Sequence, residues 1–406
     1  MKSLIYFLFA FFLSLQSILI FKGFYLSDFI IISLIIYSFF IYQKISVNFL
    51  SLSILFLILN IFVANLYNFY SFEKFFLFGF LNNFLKLIAI ALIAFFLPSI
   101  LKKINLELFF QSLTIVIIIH SFLVIFDPFI SYPWGFIGGG LSLSETNEHP
   151  DLVGRGRGLF EEPSFFAFFI GISSSLIIQY ERLFNKKILK TFSLVIIFSG
   201  LIAAASLTAL AVIILISMQL LFLNRKKIFK LNIKSFYALS ISLPLIVILL
   251  SGSFEYLSGR ITDTGNPFVR YVGGFLLVSE VINDNPLSGA GLGGDNLEYL
   301  IDSLDTSINY ELFELEKNFG YSSVTFWTTL IVAGGIPPLL IFYFMILGAL
   351  IYRKDTRFYG FVLLILSMTK GDVFQLYLWT SITTAFSLSQ KSDFNKGFFM
   401  DKNDGA

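Results

Sequence analysis

The chain has 406 residues, of which 57% are hydrophobic and 13% charged, with 53 phenylalanines and a formal charge of +2. That balance, with a mean hydropathy of +0.84, excludes an ordinary soluble enzyme and suits a chain immersed in lipid. The lack of cysteine excludes disulfides, zinc–thiolate sites and thiol nucleophiles, and the two histidines, His120 and His149, are too few for a multi-histidine metal centre.

The chain opens Met1-Lys2 and stays apolar to Phe21. No Ala-x-Ala-like cleavage site follows and many apolar runs come after, so this segment reads as a retained first helix rather than a signal peptide. Apolar runs of spanning length predict about twelve transmembrane helices, near 3–21, 25–42, 47–66, 76–98, 108–126, 164–180, 189–205, 207–223, 235–251, 323–350, 358–371 and 373–389. The pair 189–205 and 207–223 shares a very tight turn, and the last two runs are short enough to be re-entrant instead. The expected fold class is an all-α integral membrane protein, one polytopic domain over residues 1–406.

Lysine and arginine set the orientation. With the N-terminus in the cytoplasm, the basic clusters, such as Asn224-Arg225-Lys226-Lys227, fall on the cytoplasmic side, as does a tail over 390–406. Both termini are then cytoplasmic, and two long loops, 127–163 and 252–322, face outward. No cytoplasmic segment is long enough for a nucleotide-binding domain, so ATP or a nucleotide sugar is not expected as a direct substrate, nor nucleic acid as a partner.

The first outward loop carries Gly154-Arg155-Gly156-Arg157-Gly158-Leu159-Phe160-Glu161-Glu162-Pro163-Ser164. Charge at a membrane boundary is expensive to bury idly. The guanidinium groups of Arg155 and Arg157 bind phosphate oxygens bidentately; the plain alternative is contact with lipid headgroups. Glu161 and Glu162 precede Pro163, which suits a first helical position. They read either as carboxylates favoured by the helix dipole or as a general base for a sugar hydroxyl. His149, in the same loop, is a secondary base candidate. His120, near the outer end of its span, reads as a polar residue satisfied between helices, and Lys86, inside a span, as one that snorkels or pairs.

In the second loop, 267–282, 295–304 and 308–319 pattern as short amphipathic surface helices. Arg270 is a further anion contact there, with Arg260 less favoured. Gly289-Ala290-Gly291-Leu292-Gly293-Gly294 matches G-x-G-x-x-G in form, but it follows Asn285-Pro286 rather than a strand. It predicts a flexible turn that lets backbone approach a ligand or another helix, not a dinucleotide site.

Taken together, the spans, the outward Arg-x-Leu-Phe-x-Glu-Pro-Ser pattern over Arg157–Ser164 and the large second loop resemble the O-antigen polymerase (Wzy) and O-antigen ligase (WaaL) superfamily. Arg270, followed by Asn283-Asp284-Asn285-Pro286-Leu287-Ser288-Gly289-Ala290-Gly291-Leu292-Gly293, is similar to that family's arginine and N-P-x-x-G-x-G-x-G signature. The resemblance spans about 110–350. It implies a GT-C-type membrane glycosyltransferase that takes an oligosaccharide from undecaprenyl pyrophosphate, needs no metal or cofactor, and works beside a chain-length regulator. It also implies that Arg157 or Arg155, with Arg270, contacts the pyrophosphate. The ligase His-Asn pair is missing, since the corresponding place reads Tyr321-Ser322-Ser323-Val324, and the short turn Ala205-Ser206-Leu207-Thr208 lacks the ligase Ser-Arg. Both departures favour polymerase over ligase. A lipid-linked oligosaccharide flippase is the reading from another class; it predicts internal repeats, and no matching halves are visible.

Overall fold

A computed structural model describes residues 10–11, 19–21, 24–42, 45–71, 77–127, 158–160, 163–223, 278–279, 281–283, 285–291, 325–369 and 375–400. A small antiparallel pairing, β1 (Leu19–Phe21) with β2 (Phe24–Tyr25), precedes helix α1 (Leu26–Tyr42). Then come α2 (Phe49–Ser71), α3 (Leu77–Leu101) and α4 (Leu106–Phe126). After the first long loop follow α5 (Pro163–Phe184), α6 (Thr191–Ala203) and α7 (Leu207–Leu223). Beyond the second loop lie α8 (Phe326–Gly334), α9 (Ile336–Leu340), a π-helical segment (Ile341–Leu347), α10 (Gly348–Tyr352), α11 (Arg357–Thr369) and α12 (Leu376–Met400).

The sequence explains where several helices start. Asn48 and Ser51 cap α2 reciprocally, each side chain accepting from the other's backbone N–H at 2.9 Å, which satisfies donors that a helix start otherwise leaves orphaned. Asn105 Oδ1 accepts from Leu108 N at 3.2 Å at the start of α4. Ser206 Oγ accepts from Ala209 N at 3.0 Å after the tight turn into α7. Pro163 opens α5, where its missing N–H costs nothing.

Among the described residues four helices are long and apolar enough to cross a membrane: Phe49–Tyr70, Asn83–Leu101, Leu106–Phe126 and Pro163–Phe184. The last is almost wholly buried and forms the centre, packed against α4, α7, α11 and α12. Two of its buried polar side chains bond neighbouring helices, which is how a spanning helix keeps polar atoms out of contact with lipid. Gln179 Nε2 donates to Ala385 O at 2.9 Å, and Ser173 bonds Tyr377. Large apolar side chains lie on the outside, including Phe40 and Phe344, with Tyr70 and Tyr352 exposed at helix ends where aromatic residues meet the membrane boundary. The protein is a helical membrane protein.

Three sequence expectations change. The first span does not continue to residue 21: Leu19–Phe21 pairs with Phe24–Tyr25 as a short hairpin. The span near 323–350 is broken, because Gly335 and the pair Pro337-Pro338 interrupt it and a π-helical stretch follows. The tail expected from 390 instead continues α12 to Met400. The span 235–251 and the surface helices 295–304 and 308–319 lie outside the described residues. Of 267–282, its end is described, with helical residues at 278–279 and 281–282.

The basic turns gather at one end of the bundle. Lys186 pairs with Glu107 at 3.2 Å, Arg182 Nη1 donates to Lys354 O at 3.2 Å, and Arg353 Nη1 donates to Ser389 Oγ at 2.7 Å. These contacts tie the α4 start, the α5–α6 turn, the α10–α11 turn and the late part of α12 together. Lys102 and Lys391 line one cleft at the same end.

Candidate functional site

Both loop motifs enter the described structure at the opposite end. The first arrives as Gly158-Leu159-Phe160. Gly158 has φ +58°, and its N–H donates to Asp127 Oδ2 at 3.3 Å, just beyond α4. A β-carbon at Gly158 would lie 3.0 Å from Val124 Cγ2, so backbone and helix nearly touch. Leu159 and Phe160 are buried. The Phe160 ring sits in an aromatic box, with ring centroids 5.0 Å from His120, 5.7 Å from Phe166 and 5.5 Å from Phe169. Offset and edge contacts of this kind favour a single ring position.

His120 is fully buried inside this box, stacked 6.0 Å from Phe11. Its ring packs beneath the anchor, against Phe160 and Phe169. Lys86 is also buried, at 5% exposure, so its side chain does not snorkel to the surface.

The second motif arrives as a turn over 285–291, and the break between α8 and α9 explains why it docks. In an unbroken helix Ile336 N would donate to Val332 O, and residue 337 to Ala333 O. Pro337 has no N–H, and Ile336 N donates instead to Pro286 O at 2.9 Å. Two carbonyls are left for outside donors, since buried backbone groups are nearly always paired. Val332 O accepts from Ala290 N at 2.8 Å and Gly291 N at 3.0 Å. Ala333 O accepts from Asn65 Nδ2 on α2 at 2.8 Å. Asn68, one turn further along α2, donates from Nδ2 to Ser288 O at 3.1 Å and Gly289 O at 3.3 Å.

Gly289 has φ +65°, and a β-carbon there would come inside 3.0 Å of the carbonyl oxygens of Ile331 and Val332 and of the Gly335 amide. Ser288, Gly289 and Ala290 are buried, and Val278, Val281 and Ala290 form a small apolar cluster with Ile331 and Val332. Over Gly289–Gly291 the glycine-rich stretch is thus a close backbone approach to a helix, one of the two uses expected of it.

Connectivity puts these anchors at the end away from the basic turns. Helix α4 starts beside Lys186 and ends at Asp127 next to Gly158. The chain reaches Arg353 of the basic end at the far side of the α8–α10 run, whose α8–α9 break receives 285–291. Arg155, Arg157, Glu161, Glu162, His149, Arg260 and Arg270 themselves lie outside the described residues. Covalent bonding alone ties Arg157 to anchored Gly158 and Glu161 to anchored Phe160. Among the described residues no group of three His, Cys, Asp or Glu side chains is placed to hold a metal ion.

Asn65, Asn68 and Asp127, which sequence reading passed over, build these anchors with Phe160, which it quoted within the first motif without a role. The two asparagines, three apart in an otherwise apolar run, were the available signal, because buried amides in a spanning helix need partners. No protein-family model matches this chain, and neither a curated protein nor a solved structure matches it.

Proposed function

We propose that this protein is a polysaccharide repeat-unit polymerase of the bacterial inner membrane, a GT-C-type glycosyltransferase with about twelve spans and both termini cytoplasmic. It transfers a glycan from an undecaprenyl-pyrophosphate donor in the outer, periplasmic half of the membrane. The observation that carries this reading is that both motif anchors, Gly158–Phe160 and 285–291, share the end of the bundle opposite the basic turns. An arginine-rich stretch and the second-loop signature therefore start from one side, away from cytoplasmic nucleotides.

The chemistry is a single displacement at the anomeric carbon. The bond from C1 to the pyrophosphate oxygen breaks, the acceptor hydroxyl oxygen bonds C1 from the opposite face, and its proton passes to Glu161 or Glu162. Configuration inverts. Charge grows on the leaving pyrophosphate, where Arg155 or Arg157 together with Arg270 stabilises it. Preorganised donors of this kind are usually the largest catalytic contribution, and losing one costs roughly 100–1000-fold in rate.

Arg157→Ala and Arg270→Ala are expected to abolish polymer formation with protein level intact; full activity in both overturns the pyrophosphate assignment. Deleting the gene is expected to leave single repeat units on the lipid or the cell surface. Normal long polymer in the deletion strain sinks the proposal. Long polymer still attached to undecaprenyl pyrophosphate identifies a ligase, and reconstituted protein that moves a labelled lipid-linked glycan across vesicles without extending it identifies a flippase.

A further inference from the structure

The 285–291 turn spends its backbone inward. Gly289 N donates to Asn285 O at 2.9 Å, and Ala290 N and Gly291 N both donate to Val332 O, at 2.8 Å and 3.0 Å. A glycine-rich loop cradles a phosphate with successive free amides, and these three are committed within the protein. The carbonyls of Ser288 and Gly289 are committed too, both to Asn68 Nδ2 on α2. The turn therefore uses its glycine to approach α8 rather than to surround an anion.

Asn68 stands apart from the other bonds of this anchor. The turn is already docked by the two amides on Val332 O and by Ile336 N donating to Pro286 O at 2.9 Å. Asn68 adds longer bonds, 3.1 Å and 3.3 Å, and it is fully buried while its Oδ1 accepts no hydrogen bond from the protein. A buried acceptor without a donor costs stability, so this amide is a poor choice for holding the fold alone. What it supplies is orientation. One amide facing two successive carbonyls fixes both peptide planes that meet at Gly289, where φ is +65°. The chain entering the turn is seated on the same helix: Val278 and Val281 pack with Ile331 and Val332, and Asn285 N donates to Val281 O at 2.8 Å. Arg270 lies upstream on this stretch of chain.

We propose that 285–291 is a mount rather than an anion cradle, and that Asn68 is a positioning residue which, through this mount, sets where Arg270 meets the leaving pyrophosphate. The proposal rests on the polymerase reading above. Arg270 faces a charge that grows as the C1–oxygen bond breaks, so a shifted mount lowers kcat more than it weakens donor binding.

The test uses the full chain in vesicles, with an undecaprenyl-pyrophosphate-linked repeat unit as donor and rates normalised to monodisperse protein. Asn68→Leu is expected to lower kcat roughly 10–100-fold, the scale of a small misplacement, with the donor KM held within about two-fold. Leu57→Ala empties a buried core site of the same helix; it is expected to lower Tm more than Asn68→Leu does and to keep kcat. Asn60→Leu removes an amide that bonds only Phe56 O of its own helix, and is expected to change neither. Wild-type kcat in Asn68→Leu, or an equal fall in Leu57→Ala, overturns the positioning role. A raised donor KM at unchanged kcat in Asn68→Leu overturns the mount and makes the turn a donor-binding element. Wild type that does not extend the glycan refutes the polymerase reading instead, and the mount is then read without activity. The chain has no cysteine, so Leu287→Cys, at an exposed position of the turn, takes a single spin label. Its spectrum is expected to gain a mobile component in Asn68→Leu and none in Leu57→Ala; an unchanged spectrum in Asn68→Leu overturns the proposal whatever the reaction.

Discussion

The two loop anchors solve one problem by different means. Gly158–Phe160 is held by shape: a ring in an aromatic box, with one backbone donor to Asp127. The 285–291 turn is held by hydrogen bonds, with five backbone or amide donors meeting the carbonyls of the turn and of the α8–α9 break. Packing of rings tolerates small shifts. A backbone interface at hydrogen-bond distance does not, because the listener on the other side is also backbone and cannot rotate away. The second anchor is therefore expected to be the more sensitive to a single added atom, and the first to a lost volume.

Gly289→Ala gives the largest effect that this contrast allows. The added methyl meets backbone on three sides and the φ of +65° is strained for alanine. A loss of about 4 kcal/mol or more is expected, the range reserved for a clash that cannot relax. Size-exclusion of the detergent-solubilised protein should show little folded material. A well-folded Gly289→Ala protein with wild-type Tm would show that the turn is not locked against α8.

Phe160→Ala comes next. It empties the box between His120, Phe166 and Phe169, and an unfilled aromatic site costs about 3 kcal/mol. The variant is expected to fold with a lowered Tm, and to recover most of the loss as Phe160→Leu or Phe160→Met, since ring packing accepts a volume-conserving replacement. Failure of both replacements would mean that the first anchor is as exacting as the second, and the contrast would be lost.

How much of this was legible depends on the scale of the signal. Helix positions follow from apolar runs, and the tight turn between α6 and α7 falls where residues 204–206 place it. The broken span was marked by Gly335-Ile336-Pro337-Pro338, yet run length alone favours one continuous helix. What a linear reading lacks is who accepts the orphaned bonds. Ala333 O finds Asn65 some 268 residues earlier in the chain, and no local pattern connects them. The hairpin Leu19–Phe21 with Phe24–Tyr25 was hidden for the opposite reason: its residues are as apolar as a spanning helix, and composition cannot separate the two. For the candidate site, the sequence supplies the arginines and glutamates, and the fold supplies the common end from which their loops begin.

Asn65→Leu and Asn68→Leu probe the amide half of the second anchor. Each leaves carbonyls without that donor in a dry setting, and a buried unsatisfied polar group costs about 1–3 kcal/mol. Asn65→Leu is expected to be the worse, because Pro337 leaves Ala333 O no helical donor to fall back on. Asn→Gln at either place should not rescue, since the longer arm moves the donor away from a fixed carbonyl. Thermal melts of the four variants decide this. Equal Tm for Asn65→Leu and wild type would mean that Ala333 O is satisfied some other way.

The smallest expected effect separates charge from geometry at the first anchor. Asp127 Oδ2 accepts from Gly158 N–H at 3.3 Å, a long bond. Asp127→Asn keeps an acceptor oxygen in place and removes the charge; Asp127→Ala removes both. If the anchor needs only an acceptor, Asn should match wild type within about 0.5 kcal/mol and Ala should lose about 1 kcal/mol. Arg157 directly precedes Gly158 in the chain, and the proposed chemistry needs that arginine free for pyrophosphate. A Tm preserved in Asp127→Asn together with a changed KM for the lipid-linked donor, and an unchanged kcat, would mean that the charge competes with the donor phosphate for that arginine. Loss of Tm in Asn equal to that in Ala would instead make the charge itself part of the anchor, and the first anchor would then depend on electrostatics where ring packing is expected to suffice.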